Sequence, residues 1–259
     1  MSKSWIMSSF KVIAALMILG GVTGTALAEE VKIGTGPSAT ESIFNKIKDP
    51  MAKANGMTVN IINGNAVQAL KDLDAGNVEG AIASQSFGEW MAMMEKEGYP
   101  IADKSAYKNR VIGKIVIKVS TNKDVTVTAL SLEQLAKIFT GKAKNWSEVG
   151  GPNLPIVVVT ASKTKMPGDM LAFQKQAMNG EAYSADAIEV PVEDIRAKVI
   201  ATSGAVSLSI LNQVDGTVNT PAIPELGRPF TLITKAAPSP ALQKVLDFIA
   251  GPGQALIAK

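Results

Sequence analysis

The sequence contains no histidine and no cysteine, and these two absences exclude a great deal of chemistry. Without imidazole or thiol there can be no Ser-His-Asp triad, thiolate nucleophile, zinc finger, iron–sulfur cluster or His-ligated haem. A metal could be held only by carboxylates, carbonyls or methionine sulfur, which suits hard cations at best. Charge is also sparse: 26 Lys+Arg stand against 23 Asp+Glu in 259 residues. An excess of three, spread along the chain, makes no nucleic-acid footprint. What is present is 46% hydrophobic residues, the composition of a globular protein large enough for one big domain or two lobes.

The first 28 residues read as a targeting leader. Lys3 and Lys11 flank a positive start, Val12 to Leu19 is an uninterrupted apolar run, and Ala26-Leu27-Ala28 places small residues before Glu29. The apolar core is too short for a span needing ~20 apolar residues, and no cysteine follows to carry a lipid. The reading is an exported, soluble chain, most simply periplasmic, whose mature part begins at Glu29 and carries a net charge of +1.

From Glu29 on, short β-branched runs alternate with amphipathic stretches, the pattern of an α/β sheet with crossover helices. Strands are expected at 31–34, 58–62, 79–83, 111–119, 155–160, 205–210 and 230–234. Helices are expected at 40–54, 67–75 with Asn65 as N-cap, 87–97, 131–139 with a Ser131-Leu132-Glu133-Gln134 capping box, 168–178 and 240–250. No internal repeat or linker divides the chain.

Three stretches then carry a resemblance. The run Leu130 to Lys142 followed by Asn145 to Ile156, the opening Gly34-Thr35-Gly36-Pro37-Ser38-Ala39-Thr40, and the tail Pro238 to Phe248 with Pro252-Gly253-Gln254 resemble the phosphate-binding subunits of bacterial phosphate ABC importers. The likeness covers nearly the whole mature chain. It implies a type II two-lobed periplasmic binding protein with two hinge strands and an inter-lobe cleft. The first lobe would be 29–110 plus 236–259, and the second 111–235. It further implies a small oxyanion as ligand and a membrane permease as partner, with no cofactor, no catalysis and no nucleic acid.

Such a cleft binds anions through unpaired backbone N–H groups at helix N-termini, and the candidate site residues are Ser38, Asn65, Ser84, Ser162, Lys163, Lys165 and Gly168. The resemblance places Ser38 on the family's first-loop hydroxyl, Asn65 near a lost hydroxyl, and Ser84 on a proton-accepting Asp. The family's Arg-x-x-x-Ser-Gly-Thr falls on Ala161 and Pro167-Gly168-Asp169. The family's standard contacts are therefore incomplete. Only Arg110, Arg196 and Arg228 exist, none in these loops, so Lys163 and Lys165 are the expected source of positive charge, without a planar fork. Asp169 reads as a helix-end residue, Glu79 as solvated or tied to a lysine, Trp146 as local packing, and Met91, Met93 and Met94 as core. Other readings are a sensor or envelope protein on the same fold, or a hydrolase using Ser162-Lys163-Thr164-Lys165 as Ser-x-x-Lys. The second is weak, because Ser8-Ser9-Phe10-Lys11 in the leader matches equally well.

Overall fold

A computed structural model describes residues 29–164, 166–210 and 216–257. The predicted leader, Lys165 and the last two residues lie outside that description. In chain order the elements are β1 (Glu29–Thr35), α1 (Pro37–Ala39), which runs through a π-helical turn at Thr40–Phe44 into α2 (Asn45–Asn55), β2 (Met57–Asn63), α3 (Ala66–Asp74), β3 (Gly80–Ala83) and α4 (Phe87–Lys96). There follow β4 (Lys108–Thr121), α5 (Leu132–Phe139), β5 (Val157–Thr160), α6 (Gly168–Ala177), β6 (Ile188–Glu189), α7 (Ile195–Ala201), β7 (Ala205–Ile210), β8 (Leu226–Thr234), α8 (Pro240–Ala250) and α9 (Gln254–Ile257). Every expected strand and helix is present within a few residues. β6, α7 and α9 are additions that the sequence pattern does not show.

The local chemistry of several ends is as the sequence implies. Asn65 caps α3 by accepting from the Gln68 amide at 2.9 Å. Ser131 and Gln134 close the capping box of α5 reciprocally, with contacts of 3.2 and 2.8 Å. Ser86 and Glu89 form a second box at the start of α4. Each such pair satisfies two backbone donors that would otherwise have no intrahelical partner, stabilising the helix by about 1 kcal/mol.

The strands form one eight-stranded sheet in the order β2-β1-β3-β8-β4-β7-β5-β6. β1, β2 and β3 run parallel, with Thr35 opposite both Asn63 and Ile82. The loops carrying Ser38, Asn65 and Ser84 therefore leave one common edge. β4 is the long strand that links the two ends of the sheet: its residues 108–117 pair with β8 and its residues 117–121 with β7. β8 in turn pairs with β3 through Thr231 to Ile233.

Two large cores divide along these strands. Ile112 and Ile115 of β4 with Phe230 and Leu232 of β8 pack against β1, α2 and α8. Ile117, Val119 and Leu226 pack instead among α5, α6 and Trp146. The crossover lies at a close approach of β4 and β8. A Cβ on Gly227 would stand 2.1 Å from the Ile115 carbonyl oxygen, so only glycine admits this approach. Trp146 is fully buried and donates to the Gly204 carbonyl at 2.9 Å, a packing role as expected. Met91 and Met94 are core residues. Glu79 is exposed but tied to the Ser239 hydroxyl at 2.5 Å and not to a lysine.

Candidate functional site

The arginine that the loops lack arrives from a strand. Arg228 lies near the start of β8, three residues before Thr231, which pairs with Ala83 at the end of β3. That register carries its side chain past the C-terminal edge of β3 to the loop that follows. Its Nη1 donates to the Ser84 carbonyl at 3.1 Å and to the Ser84 hydroxyl at 2.7 Å. Its Nε and Nη2 donate to one carboxylate oxygen of Asp169, at 2.9 and 2.7 Å. The guanidinium also lies against the first residue of α6, since a Cβ on Gly168 would fall 2.5 Å from Nη1. One planar fork thus joins the loop after β3 to the N-terminus of α6.

Both sides of this junction are held in place. Thr231 donates to the Gln85 carbonyl at 2.7 Å, which with the Ser86 capping box fixes the turn after Ser84. On the other side, Tyr183 donates to the Met170 carbonyl at 2.8 Å, and Gln176 exchanges two hydrogen bonds with the backbone of Gly227. A second contact joins α6 to α4, where Lys175 and Glu89 stand 2.6 Å apart. The Lys175 ammonium, helped by the Ser86 cap, holds the Glu89 carboxyl down at about 2.

The sequence-predicted residues separate into two groups. Ser84 and Gly168 meet at Arg228. Ser38 is half-buried in the helical turn after β1, on the same sheet edge. Asn65 spends its side-chain oxygen on capping α3. Ser162 shares a hydrogen bond with Thr164 at 3.0 Å. Lys163 is held by the carbonyls of Ser184 and Ala185, at 3.2 and 3.3 Å, and by Glu189. Lys165 lies outside the described residues. Lys163 is tied to the far side of its loop, and Arg228 is a cation at Ser84 and Gly168 that the loops alone do not reveal. Asp169 stands in the first turn of α6, as expected of a helix-end residue, and is in addition the partner of that arginine. A signal for Arg228 was available, since it is one of three arginines and follows the crossing glycine of a hinge strand. Sequence position alone did not show that its strand lies beside β3.

In chemical terms the junction offers donors in a fixed plane, the first-turn N–H groups of α6, which have no intrahelical acceptor, and a carboxylate. Arg228 and Asp169 are mostly shielded, at 19% and 28% side-chain exposure. Among the described residues no cluster of acids suits a metal ion, and no helix is long and apolar enough to cross a membrane.

Comparison with known proteins decides the family. The model of the PBP superfamily domain matches residues 22–252. The chain belongs to this superfamily. A phosphate-binding protein PstS of Bacillus subtilis (strain 168) is 34% identical over 113 residues, covering 43% of this chain and 36% of that protein. A protein of the same name from Staphylococcus saprophyticus is 28% identical over 187 residues, covering 68% and 56%. The chain thus spans between about a third and somewhat over half of the length of these curated relatives. Among solved structures, a putative phosphate ABC transporter substrate-binding protein from Clostridium perfringens with bound phosphate superposes with a TM-score of 0.61 at 24% identity. The superposition covers 89% of this chain and 97% of that one. The expected fold, a mixed α/β chain of the two-lobed periplasmic binding protein type, is borne out.

Proposed function

We propose that this PBP superfamily chain is the solute receptor of an ABC-type importer, closing its two lobes over phosphate or a related oxyanion and delivering it to a membrane permease. The observation that carries this reading is the Arg228 fork, which reaches Ser84 of one lobe and Asp169 of the other. The relatives named as phosphate-binding proteins support the choice of ligand.

The site performs this task with its own residues. An oxyanion at the start of α6 accepts from the backbone N–H groups of the first turn, where the helix dipole adds ~0.3–1 kcal/mol. The guanidinium neutralises it and contributes charge-assisted hydrogen bonds of ~1.5–3 kcal/mol each. Both Arg228 contacts to Asp169 fall on a single carboxylate oxygen. The other oxygen is left to accept a proton from an oxyanion that still carries one, and it repels one that does not. Asp169 thereby supplies the carboxylate acceptor that the Ser84 hydroxyl does not.

In this reading the lobes are 29–110 with 236–259 and 111–235, with β4 and β8 as the shared hinge, and the ligand-bearing residues are Ser38, Ser84, Gly168, Asp169 and Arg228. The mature chain is exported and begins at Glu29, so N-terminal sequencing of the periplasmic fraction should read from Glu29. Membrane-bound protein with Met1 intact would overturn the export reading. The ligand is tested by calorimetry: phosphate should bind one per chain, and no heat at millimolar phosphate would overturn it.

A further inference from the structure

The oxyanion site has room beside it that phosphate does not fill. Pro167, Asp169 and Met170, around the first turn of α6, line a cavity of about 470 Å³. The cavity therefore opens where the oxyanion is held and continues the same cleft. Its size is ordinary for a small-molecule site and generous for one tetrahedral anion.

Beyond the α6 turn the walls are apolar, formed by Val159, Met170, Val192, Ile195 and Val199. The floor is the face of β4 and β7 that carries Ser120 and Ser209. Ser120 donates to the Ser209 hydroxyl at 2.6 Å, so the two partner each other and a ligand needs no polar group to satisfy them. Glu193 and Arg196 stand at exposed positions on the rim, with the Arg196 guanidinium donating to Thr217 at 2.9 Å.

The fold holds this space open without a ligand. Asn122, just after β4, donates to the carbonyls of Val199 and Ile200 at 3.0 and 2.9 Å and pins the end of α7. Asp124 accepts from the Ser203 hydroxyl at 2.6 Å and the Gly204 amide at 3.2 Å, which fixes the turn from α7 into β7. Among the described residues lining the cavity, none comes from β1, β2, β3 or β8. Its shape is therefore set by the elements from β4 to β7.

Inorganic phosphate has no apolar surface with which to displace water from such walls, whereas an apolar group attached to the oxyanion does. Asp169 limits the attachment to one. A monosubstituted phosphate or phosphonate keeps a P–OH that can donate to the Asp169 oxygen not engaged by Arg228, and a diester has none to give. Granted the oxyanion site of the proposed function, on which this rests, we propose that the ligand is a monosubstituted phosphate or phosphonate. Its head lies at Arg228 and the start of α6, and its small, mostly apolar substituent fills the cavity.

The test compares phosphate, methylphosphonate and phenylphosphonate by calorimetry on the mature protein. The two phosphonates share one head group and differ in the group offered to the cavity. Phenylphosphonate should bind at least tenfold more tightly than methylphosphonate. Val192→Trp at the exposed rim and Ser209→Leu in the floor should each bring the two phosphonates within threefold of one another while leaving phosphate affinity within twofold of wild type. Should either variant fail to fold by circular dichroism, the other decides. Phosphate binding without the phenylphosphonate gain would overturn this inference alone, and so would a gain that persists in every variant that folds. Absence of binding by all three probes would instead overturn the proposed function, and this inference with it.

Discussion

Replacing Arg228 is the perturbation with the most to lose. The side chain donates four hydrogen bonds, two to Ser84 and two to Asp169, and is only 19% exposed. Arg228→Ala removes the cation from the oxyanion site and leaves the Asp169 carboxylate partly buried and unpaired, facing any incoming anion. Losing even one charge-assisted bond costs ~1.5–3 kcal/mol, and the freed carboxylate adds repulsion, so phosphate affinity should fall by at least about 2 kcal/mol, roughly 30-fold. Arg228→Lys keeps the charge but not the planar fork and should fall between the two. Arg228→Ala combined with Asp169→Ala removes the stranded carboxylate and should recover part of the loss, which distinguishes repulsion from misfolding. Equilibrium dialysis with labelled phosphate measures all four proteins. A folded Arg228→Ala that binds phosphate within about threefold of wild type would refute the placement of the site.

Three further outcomes follow from the same geometry. Asp169→Asn removes the carboxylate that rejects unprotonated oxyanions, so competition binding should show sulfate gaining on phosphate by about tenfold; an unchanged ratio would show that Asp169 does not select. Lys163→Ala should change phosphate affinity less than twofold, because its ammonium is committed to Ser184, Ala185 and Glu189; a tenfold loss by dialysis would restore it to the site. The Glu89 carboxyl, held at about 2 by Lys175, contributes stability that is present above the ordinary glutamate value and is lost as pH falls through its folded value. The pair is largely solvent-exposed, so the effect is limited to ~0.5–1 kcal/mol. Urea midpoints of wild type and Glu89→Gln should differ at pH 6 and converge toward pH 2, and a constant difference would argue against the link.

How much of this was readable from the chain depends on what each feature rests on. The caps at Asn65 and Ser131 and the apolar runs of β5 and α8 depend on neighbours a few residues away, and the sequence shows them directly. β6 has two residues and α7 seven, with Pro191 just before the turn leading into α7, and segments so short carry no periodic signal. The site was half legible. Ser84 and Gly168 were singled out because each stands at a strand end or helix start. Arg228 was not, because its role comes from the β3–β8 pairing, which joins residues about 150 positions apart in the chain. The sheet pairing was equally hidden: Ser207 and Ser209 alternate with Val206 and Leu208 as any half-buried strand would, and only the pairing with β4 puts Ser120 on the same face.

The central claim is that Arg228, Ser84 and the start of α6 together hold one oxyanion between the lobes. A crystal structure of the mature protein grown with phosphate tests it most directly. The account expects a single phosphate within hydrogen-bond distance of the Arg228 guanidinium and the first-turn amides of α6, with the two Arg228–Asp169 contacts rearranged to admit it. Phosphate bound elsewhere on the chain, or a cleft that stays empty at millimolar phosphate with those contacts unchanged, would contradict it.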